Sequence, residues 1–412
     1  MKKALVVGRN YCNILAVARQ LGEAGFSAKV LKIHKTRPKK LNFLRTMAPD
    51  KMSKYVETYR EVIALEADEL EAMLAMAESS DAEVQCVSTG SKATGAEAPS
   101  GAAEKMLLIP VDDYSVYVVD ENLDVLKEKF LVASIGGRQG AINEMMDKAR
   151  QKAAAAPKLG VLKSWLIETG DPIPEDITYP VFIKPNVSMK ATKARMKKIA
   201  SAAELEKTLA GYGEYSMLVE EFCDIKHEYS LLGFSTGKKA YAPALFMATM
   251  GGHKERKGVA VMGKTLAVDE ESGFKEIAAE CEKFVESLGY DGIFDIDLME
   301  DQDGKIYFVE INFRAGASIY AFDNLVGEYA KYMLCGKEPG EMKFKEGLSF
   351  VSEKVLMEEY VRGDATWEML NGLIEKADVC FVKNEADPAP FAEFRKYYFM
   401  ASLLRLAYKV RG

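Results

Sequence analysis

The chain has 412 residues, 48% hydrophobic and 28% charged, a globular composition at a length that calls for two or three packed units instead of one small core. Its 55 basic residues fall short of its 62 acidic ones, and a net charge of −7 excludes a protein built chiefly around the phosphate backbone of nucleic acid. Six scattered cysteines (Cys12, Cys86, Cys223, Cys281, Cys335 and Cys380) without C-x-x-C spacing read as buried thiols of a reducing cytoplasm, and three histidines are too few for a His-built metal centre.

In chain order, "KALVVG" reads as a buried strand, followed by a helix from about Asn13 to Glu23 and a strand "SAKVLKI", a β-α-β opening. Gly8-Arg9-Asn10 departs from the G-x-G-x-x-G loop, which argues against a dinucleotide site there. A helix "DELEAMLAMAES" and a strand near "VQCVST" precede residues 88–104, a Gly/Ser/Ala-rich surface loop. "MLLIPVDDYSVYVVDEN" is a strand and helix in which Asp112 and Asp113 read as a helix cap or as an amine-recognising pair. "INEMMDKARQKAAAA" reads as one helix, "YPVFIKPN" as a proline-bounded strand, and Ser201 with Glu204 as a capping box. "SMLVEEF" and "EYSLLGFS" are further strands, and "GFKEIAAECEKFVESLGY" sets Phe274, Ile277, Cys281, Phe284 and Leu288 on one helical face. The tail from about residue 336 is mixed α and β, ending in an amphipathic segment that reads as a docked helix. The five-residue apolar run near the start is short of a signal-peptide core, and no apolar run reaches the roughly 20 residues that span a bilayer.

The chemistry concentrates in "FDIDLMEDQDGKIYFVEINFRAG", residues 294–316. Alternation on both sides of Asp303-Gly304 predicts a hairpin, with Asp295 and Asp297 on the same face as Glu310 and Asn312. Carboxylates so crowded call for a positive partner. Upstream, Lys148 and Lys184 are placed to hold phosphates, and oxygen donors opposite them suit Mg²⁺ brought with a nucleotide. A reversal near Gln302 and Asp303 sets Asp295 opposite Glu310.

These features, in this order, resemble the ATP-grasp superfamily. The lysine of "DK" (Lys148), the lysine before proline (Lys184), the strand end Glu220-Glu221-Phe222 and the terminal Asp297…Glu310-x-Asn312 match its motifs over residues 1 to about 335. The resemblance implies an α/β (α+β) chain with a Rossmann-like pre-ATP-grasp domain at 1–125, an ATP-grasp domain at 126–335 with a lid at about 158–222, and a C-terminal α+β extension at 336–412. It assigns Lys148 and Lys184 to the α and β phosphates, the backbone of Glu221 and Cys223 to the adenine edge beside Phe222, the Glu220 side chain to the adenine amino group, and Glu228 to the ribose. Asp297, Glu310 and Asn312 would hold Mg²⁺ or Mn²⁺, with Asp295 as the alternative that the simple hairpin register keeps open. Arg314 would stabilise the transferring phosphoryl group or grip the substrate carboxylate, and Arg256, with Lys254 second, would grip a carboxylate or phosphate.

The sequence departs from the family between the first lid strand and its return. A glycine-free stretch carrying Lys190, Lys193, Arg195, Lys197 and Lys198 replaces the usual glycine-rich loop, which points to phosphate cover by charge. "LLIPVDDYSVYVVDEN" and the tail look most like D-aspartate ligases and related carboxylate-amine ligases. The implied reaction is ATP-dependent amide formation through an acyl-phosphate on a small carboxylate such as an amino acid. Carbamoyl-phosphate-synthase-like, biotin-carboxylase-like and non-catalytic nucleotide-binding roles are the alternatives. Family habit implies a homodimer acting on small-molecule carboxylates and amines, while the cysteines, the net charge and the hydropathy point to the cytoplasm with neither nucleic acid nor stable membrane insertion.

Overall fold

The computed structural model describes residues 2–35, 47–64, 69–78, 105–187, 196–249 and 262–411. Three sheets organise them. The first is five-stranded and parallel: β1 (Lys3–Gly8), β2 (Ser27–His34), β3 (Val56–Ile63), β4 (Met106–Pro110) and β5 (Phe130–Val132), in the order β3-β2-β1-β4-β5. The apolar run of β1 is buried on both faces, as a parallel strand under helices requires. The helix Tyr11–Glu23 covers one face through Ile14, Leu15, Ala18 and Leu21, and the helices Glu69–Glu78 and Asp113–Glu121 cover the other.

The helix Tyr11–Glu23 is buried on its polar side as well, which its apolar stripe alone did not predict. Asn13 donates to the carbonyls of Val111 and Ala315 at 3.1 and 3.2 Å, and Gln20 donates to those of Ile319 and Phe322 at 3.0 and 2.8 Å. Arg19 pairs with Asp387 at 3.0 Å and donates to the carbonyls of Phe381 and Val382. Asn13, Arg19 and Gln20 thus each dock a later segment through satisfied hydrogen bonds.

A short strand, β6 (Ser134–Ile135), leads to the second sheet: β7 (Ser164–Glu168), β8 (Val181–Pro185), β9 (Lys197–Ile199) and β10 (Ser216–Glu221), antiparallel in the order β7-β10-β8-β9. The helix Ala202–Ala210 covers it with Leu205 and Leu209, and Ser201 caps that helix by accepting from Glu204 N at 3.3 Å.

The third sheet has eight strands: β11 (Ile225–Thr236), β12 (Ala240–Thr249), β13 (Met262–Ala267), β14 (Tyr290–Asp301), β15 (Ile306–Asn312), β16 (Ser349–Val351) and β17 (Val379–Cys380), in the order β15-β14-β11-β12-β13-β16-β17, with β6 beside β14. The interior Pro243 of β12 withholds a ladder donor, and the register shifts beside it between Leu232 and Phe234. At Gly233 a Cβ would lie 2.1 Å from the Tyr241 carbonyl oxygen, so the close approach there requires glycine. The tail contributes two strands to this sheet, and the helix Ala389–Arg411 docks on it by burying Phe394 and Ala401.

Two expectations are corrected. The stretch 141–155 is two helices, Ala141–Met145 and Lys148–Ala155, because Asp147 caps the second by accepting from Arg150 N at 2.9 Å. The cysteines are not uniformly buried: Cys12, Cys281 and Cys380 are, whereas Cys223 is half-buried and Cys335 exposed. No helix of the described residues is long and apolar enough to cross a membrane. The expected strand near "VQCVST" with Cys86, and the 88–104 loop, lie outside the described residues.

Candidate active site

The break at Asp147 places Lys148 in the first turn of its helix, and Asn186 sews that turn to the end of β8. Lys148 N donates to the Asn186 carbonyl at 3.1 Å, Ala149 N donates to Asn186 Oδ1 at 3.0 Å, and Asn186 Nδ2 donates to Asp147 Oδ2 at 2.6 Å. Lys184, two residues before Asn186, is thereby brought to the same cleft as Lys148.

The same helix carries Lys148, Gln151 and Lys152 at spacings of three and four residues, hence on one face. Lys148 pairs with Glu310. Gln151 exchanges two hydrogen bonds with the backbone of Ile311, accepting from its N–H at 2.9 Å and donating to its carbonyl at 3.0 Å. Lys152 pairs with Glu220, whose other oxygen lies 2.8 Å from Lys184 Nζ. Burial opposes the charged form of Glu220, but Lys184 and Lys152 outweigh it and hold the carboxyl below its ordinary value. For Lys152, burial dominates over the attraction of Glu220 and pulls its pKa down, with Lys184 adding to the effect. Sequence reasoning missed Lys152, Gln151 and Asn186; their signals were the i+3 and i+4 spacing from Lys148 and the "KPN" context of Lys184.

The Glu220 carboxylate, expected at the adenine amino group, is shared by Lys152 and Lys184. Of the other expected adenine contacts, Glu221 N already donates to the Lys163 carbonyl at 3.0 Å and Phe222 N to that of Pro180 at 3.3 Å. Lys198 lies 3.7 Å over the Phe222 ring, and Lys197 pairs with Glu204 at 3.5 Å. Cys223 and Glu228 are half-buried, and Glu228 sits two residues before Ser230 on the same face of β11.

The hairpin of β14 and β15 presents its polar face as expected, but in a different register. The turn closes through Asp301, whose Oδ1 accepts from Asp303 N at 3.0 Å and Lys305 N at 2.9 Å, and the pairing shifts between Asp297 and Leu298. Leu298 pairs with Phe308 and Asp297 with Glu310, leaving Val309 as the extra residue of a bulge. Asp295 therefore stands opposite Asn312, correcting the simple register that put it opposite Glu310.

The charges on this face are unequally compensated. Burial works against ionised Glu310, yet Lys148 and Lys184 prevail and keep its carboxyl low. Burial pushes Asp297 well up, reinforced by Asp295 and Glu310. Burial also raises Asp295, against the pull of Arg314 at 3.9 Å and a hydrogen bond from Ser230. Gly316 packs onto Asp295 so closely that a Cβ there would lie 1.7 Å from Oδ2. Asn312 donates to Asp297 Oδ2 at 3.2 Å and accepts from Arg314 Nη2 at 3.1 Å. Arg314 Nε donates to Asp113 Oδ1 at 2.9 Å, so a residue of the first sheet's unit reaches into the site. Burial disfavours the guanidinium charge, but Asp113, Asp295 and Asp297 overcome it and raise its pKa. Of the two readings of this pair, the cap holds for Asp112, which accepts from Ser115 N at 3.2 Å, while Asp113 faces Arg314.

Among the described residues no group of three or more His, Cys, Asp or Glu is arranged to hold a metal ion alone. The donors here are all oxygens, and the negative charge that Asp295 and Glu310 crowd onto half-buried Asp297 is one that a hard divalent cation would relieve. Arg256, Lys254, Lys190, Lys193 and Arg195 lie outside the described residues.

A family model described as ATP-grasp domain matches residues 152–318, a span that takes in Lys152, Lys184, Glu220 and the whole hairpin. No curated protein matches the sequence. Among solved structures, an ADP complex of N5-carboxyaminoimidazole ribonucleotide synthetase aligns with TM-score 0.59 at 14% identity, over 84% of this chain and 80% of that one. An L-amino acid ligase from Bacillus licheniformis aligns with TM-score 0.57 at 14% identity, over 85% and 78%. A biotin carboxylase complex from Campylobacter jejuni aligns with TM-score 0.57 at 15% identity, over 84% and 74%. At these identities the likeness establishes the fold.

Proposed function

We propose that this chain, whose residues 152–318 match the ATP-grasp domain model and whose fold aligns with ligases of that kind, is an ATP-dependent carboxylate-amine ligase acting on an amino acid or similar small carboxylate. The observation that carries the reading is the hairpin face of Asp297, Glu310, Asn312 and Arg314 set against Lys148 and Lys184. In this reading Lys148 and Lys184 leave Glu310 and Glu220 to take nucleotide phosphates, and Asp297, Glu310 and Asn312 are freed to hold Mg²⁺. The cation would neutralise charge on the phosphates when bound. Arg314 orients the substrate carboxylate, whose oxygen attacks the γ-phosphorus as ADP leaves. The resulting acyl-phosphate is then opened by an amine, which forms the amide and releases phosphate. Positioning and electrostatics carry such a transfer, and no protein nucleophile is needed.

The neighbours named amino acid ligase and biotin carboxylase suggest which carboxylates to try. The test is phosphate release from Mg·ATP in the presence of pooled amino acids and small dicarboxylates, with Glu310→Ala as control. Release that depends on particular pools and on Glu310 supports the ligase. Release that depends on bicarbonate instead supports the carboxylase-like reading, and nucleotide binding without release under any condition supports a binding-only role.

A further inference from the structure

The order β3-β2-β1-β4-β5 has a topological switch between β1 and β4, since their following helices cover opposite faces of the sheet. Open parallel sheets bind ligands in the crevice outside the carboxyl ends of the two strands that flank such a switch. Here the chain leaves β1 through Arg9 and leaves β4 through Asp112 and Asp113. Asn13 spans the crevice and fixes it to the hairpin's exit: its amide donates to Val111, just before Asp112, and to Ala315, just after Arg314. The switch-point crevice and the phosphoryl-transfer site are thus one continuous place.

The acids and bases there are unequally engaged. Asp112 is spent, accepting from Ser115 N and Oγ through Oδ1 and from Arg9 N through Oδ2. The Arg9 guanidinium stacks on Tyr114, 3.4 Å from the ring centre. Asp113 keeps a third of its side chain exposed and meets Arg314 through a single Nε to Oδ1 contact of 2.9 Å. Resting on the ligase reading, we infer that Asp113 and Arg314 are the recognition pair for an α-amino acid, Asp113 taking its ammonium group and Arg314 its carboxylate. An α-amino acid carries these two charges on adjacent carbons. It can therefore replace one anion–cation contact by two, each side chain exchanging its partner for the matching charge of the substrate. A carboxylate without the amine would satisfy Arg314 but strand Asp113 in a partly desolvated site, which is costly.

The experiment compares phosphate release with a panel of amino acids and with the same acids lacking the α-amino group, for the unmodified protein and Asp113→Asn. Melting temperature and Mg·ADP affinity are measured for both. The expected result is a strong preference for the amino acids, a fall of at least about tenfold in kcat/KM for them in Asp113→Asn, and a collapse of the amino to des-amino ratio at unchanged nucleotide affinity. If Asp113→Asn is unstable, Asp113→Glu serves instead, expected to keep the preference at a higher KM. An unchanged ratio in Asp113→Asn, an unchanged KM for the amino acids in Asp113→Glu, or equal use of des-amino acids by the unmodified protein, would overturn the assignment while leaving the ligase intact. Absence of phosphate release with every compound, despite nucleotide binding, would overturn the ligase reading and this inference with it.

Discussion

Gln151 holds the backbone of Ile311 through both of its amide atoms, at 2.9 and 3.0 Å, as a neighbouring strand would. Ile311 lies between Glu310 and Asn312, so this one side chain sets the distance between the lysine-bearing helix and the acidic hairpin. Gln151→Ala leaves a buried N–H and carbonyl unsatisfied, and the expected cost is about 1–3 kcal/mol of stability. Activity should fall further than stability alone explains, because Lys148 and Glu310 lose their common reference. Urea unfolding and phosphate release on the same variant check both halves.

Lys152 shares Glu220 with Lys184. In Lys152→Met the buried carboxylate is left to Lys184 alone, which pins that lysine away from phosphate. A loss of a few kcal/mol of stability and weaker nucleotide binding are expected. The second substitution Glu220→Gln in the same chain should restore much of the stability, and a double-mutant cycle by thermal unfolding measures the coupling. Additive effects would mean that the two side chains act independently.

Gly316 leaves no space for a methyl group against Asp295. Gly316→Ala should therefore push Asp295 off Ser230 and Arg314, lowering turnover by about tenfold or more while the nucleotide still binds. Comparison of kcat with Mg·ADP affinity separates the two effects.

Asp291, on β14 four residues before Asp295, serves as a pH probe. Burial pushes its carboxyl up to about 6, and its Oδ1 has no hydrogen-bond partner among the described residues. With the folded pKa above the unfolded one, the native state binds the extra proton, so this group's contribution to stability is lost as pH rises from about 4 through about 6. Asp291→Asn should raise the melting temperature at pH 8, by an amount corresponding to on the order of 2 kcal/mol, and leave it unchanged near pH 4.

Much of this was legible in the sequence because it is local. The alternation in "IYFVEIN" and the Asp303-Gly304 turn place the polar face, and the buried run of β1 marks a parallel strand. What stayed hidden depends on distant partners or on single-residue irregularities. The bulge at Val309 moves the pairing of Asp295 from Glu310 to Asn312, and no local signal distinguishes the two registers. Asp147 interrupts a run of strong helix formers by capping the second helix, and the Asn186 that clamps it lies 39 residues away. Pro243 disguises β12, a strand that the adjoining register shift accommodates. Asp113 looked like half of a cap until Arg314, 201 residues on, was seen beside it.

The central claim is that Lys184, with Lys148, faces a nucleotide held over the hairpin. Calorimetric titration of Mg·ADP into the unmodified protein and into Lys184→Met tests it most directly. The account predicts Mg²⁺-dependent binding by the first and an affinity at least about tenfold weaker, about 1.4 kcal/mol, in the second. Equal affinity in the two proteins, or no binding by the unmodified one, would contradict it.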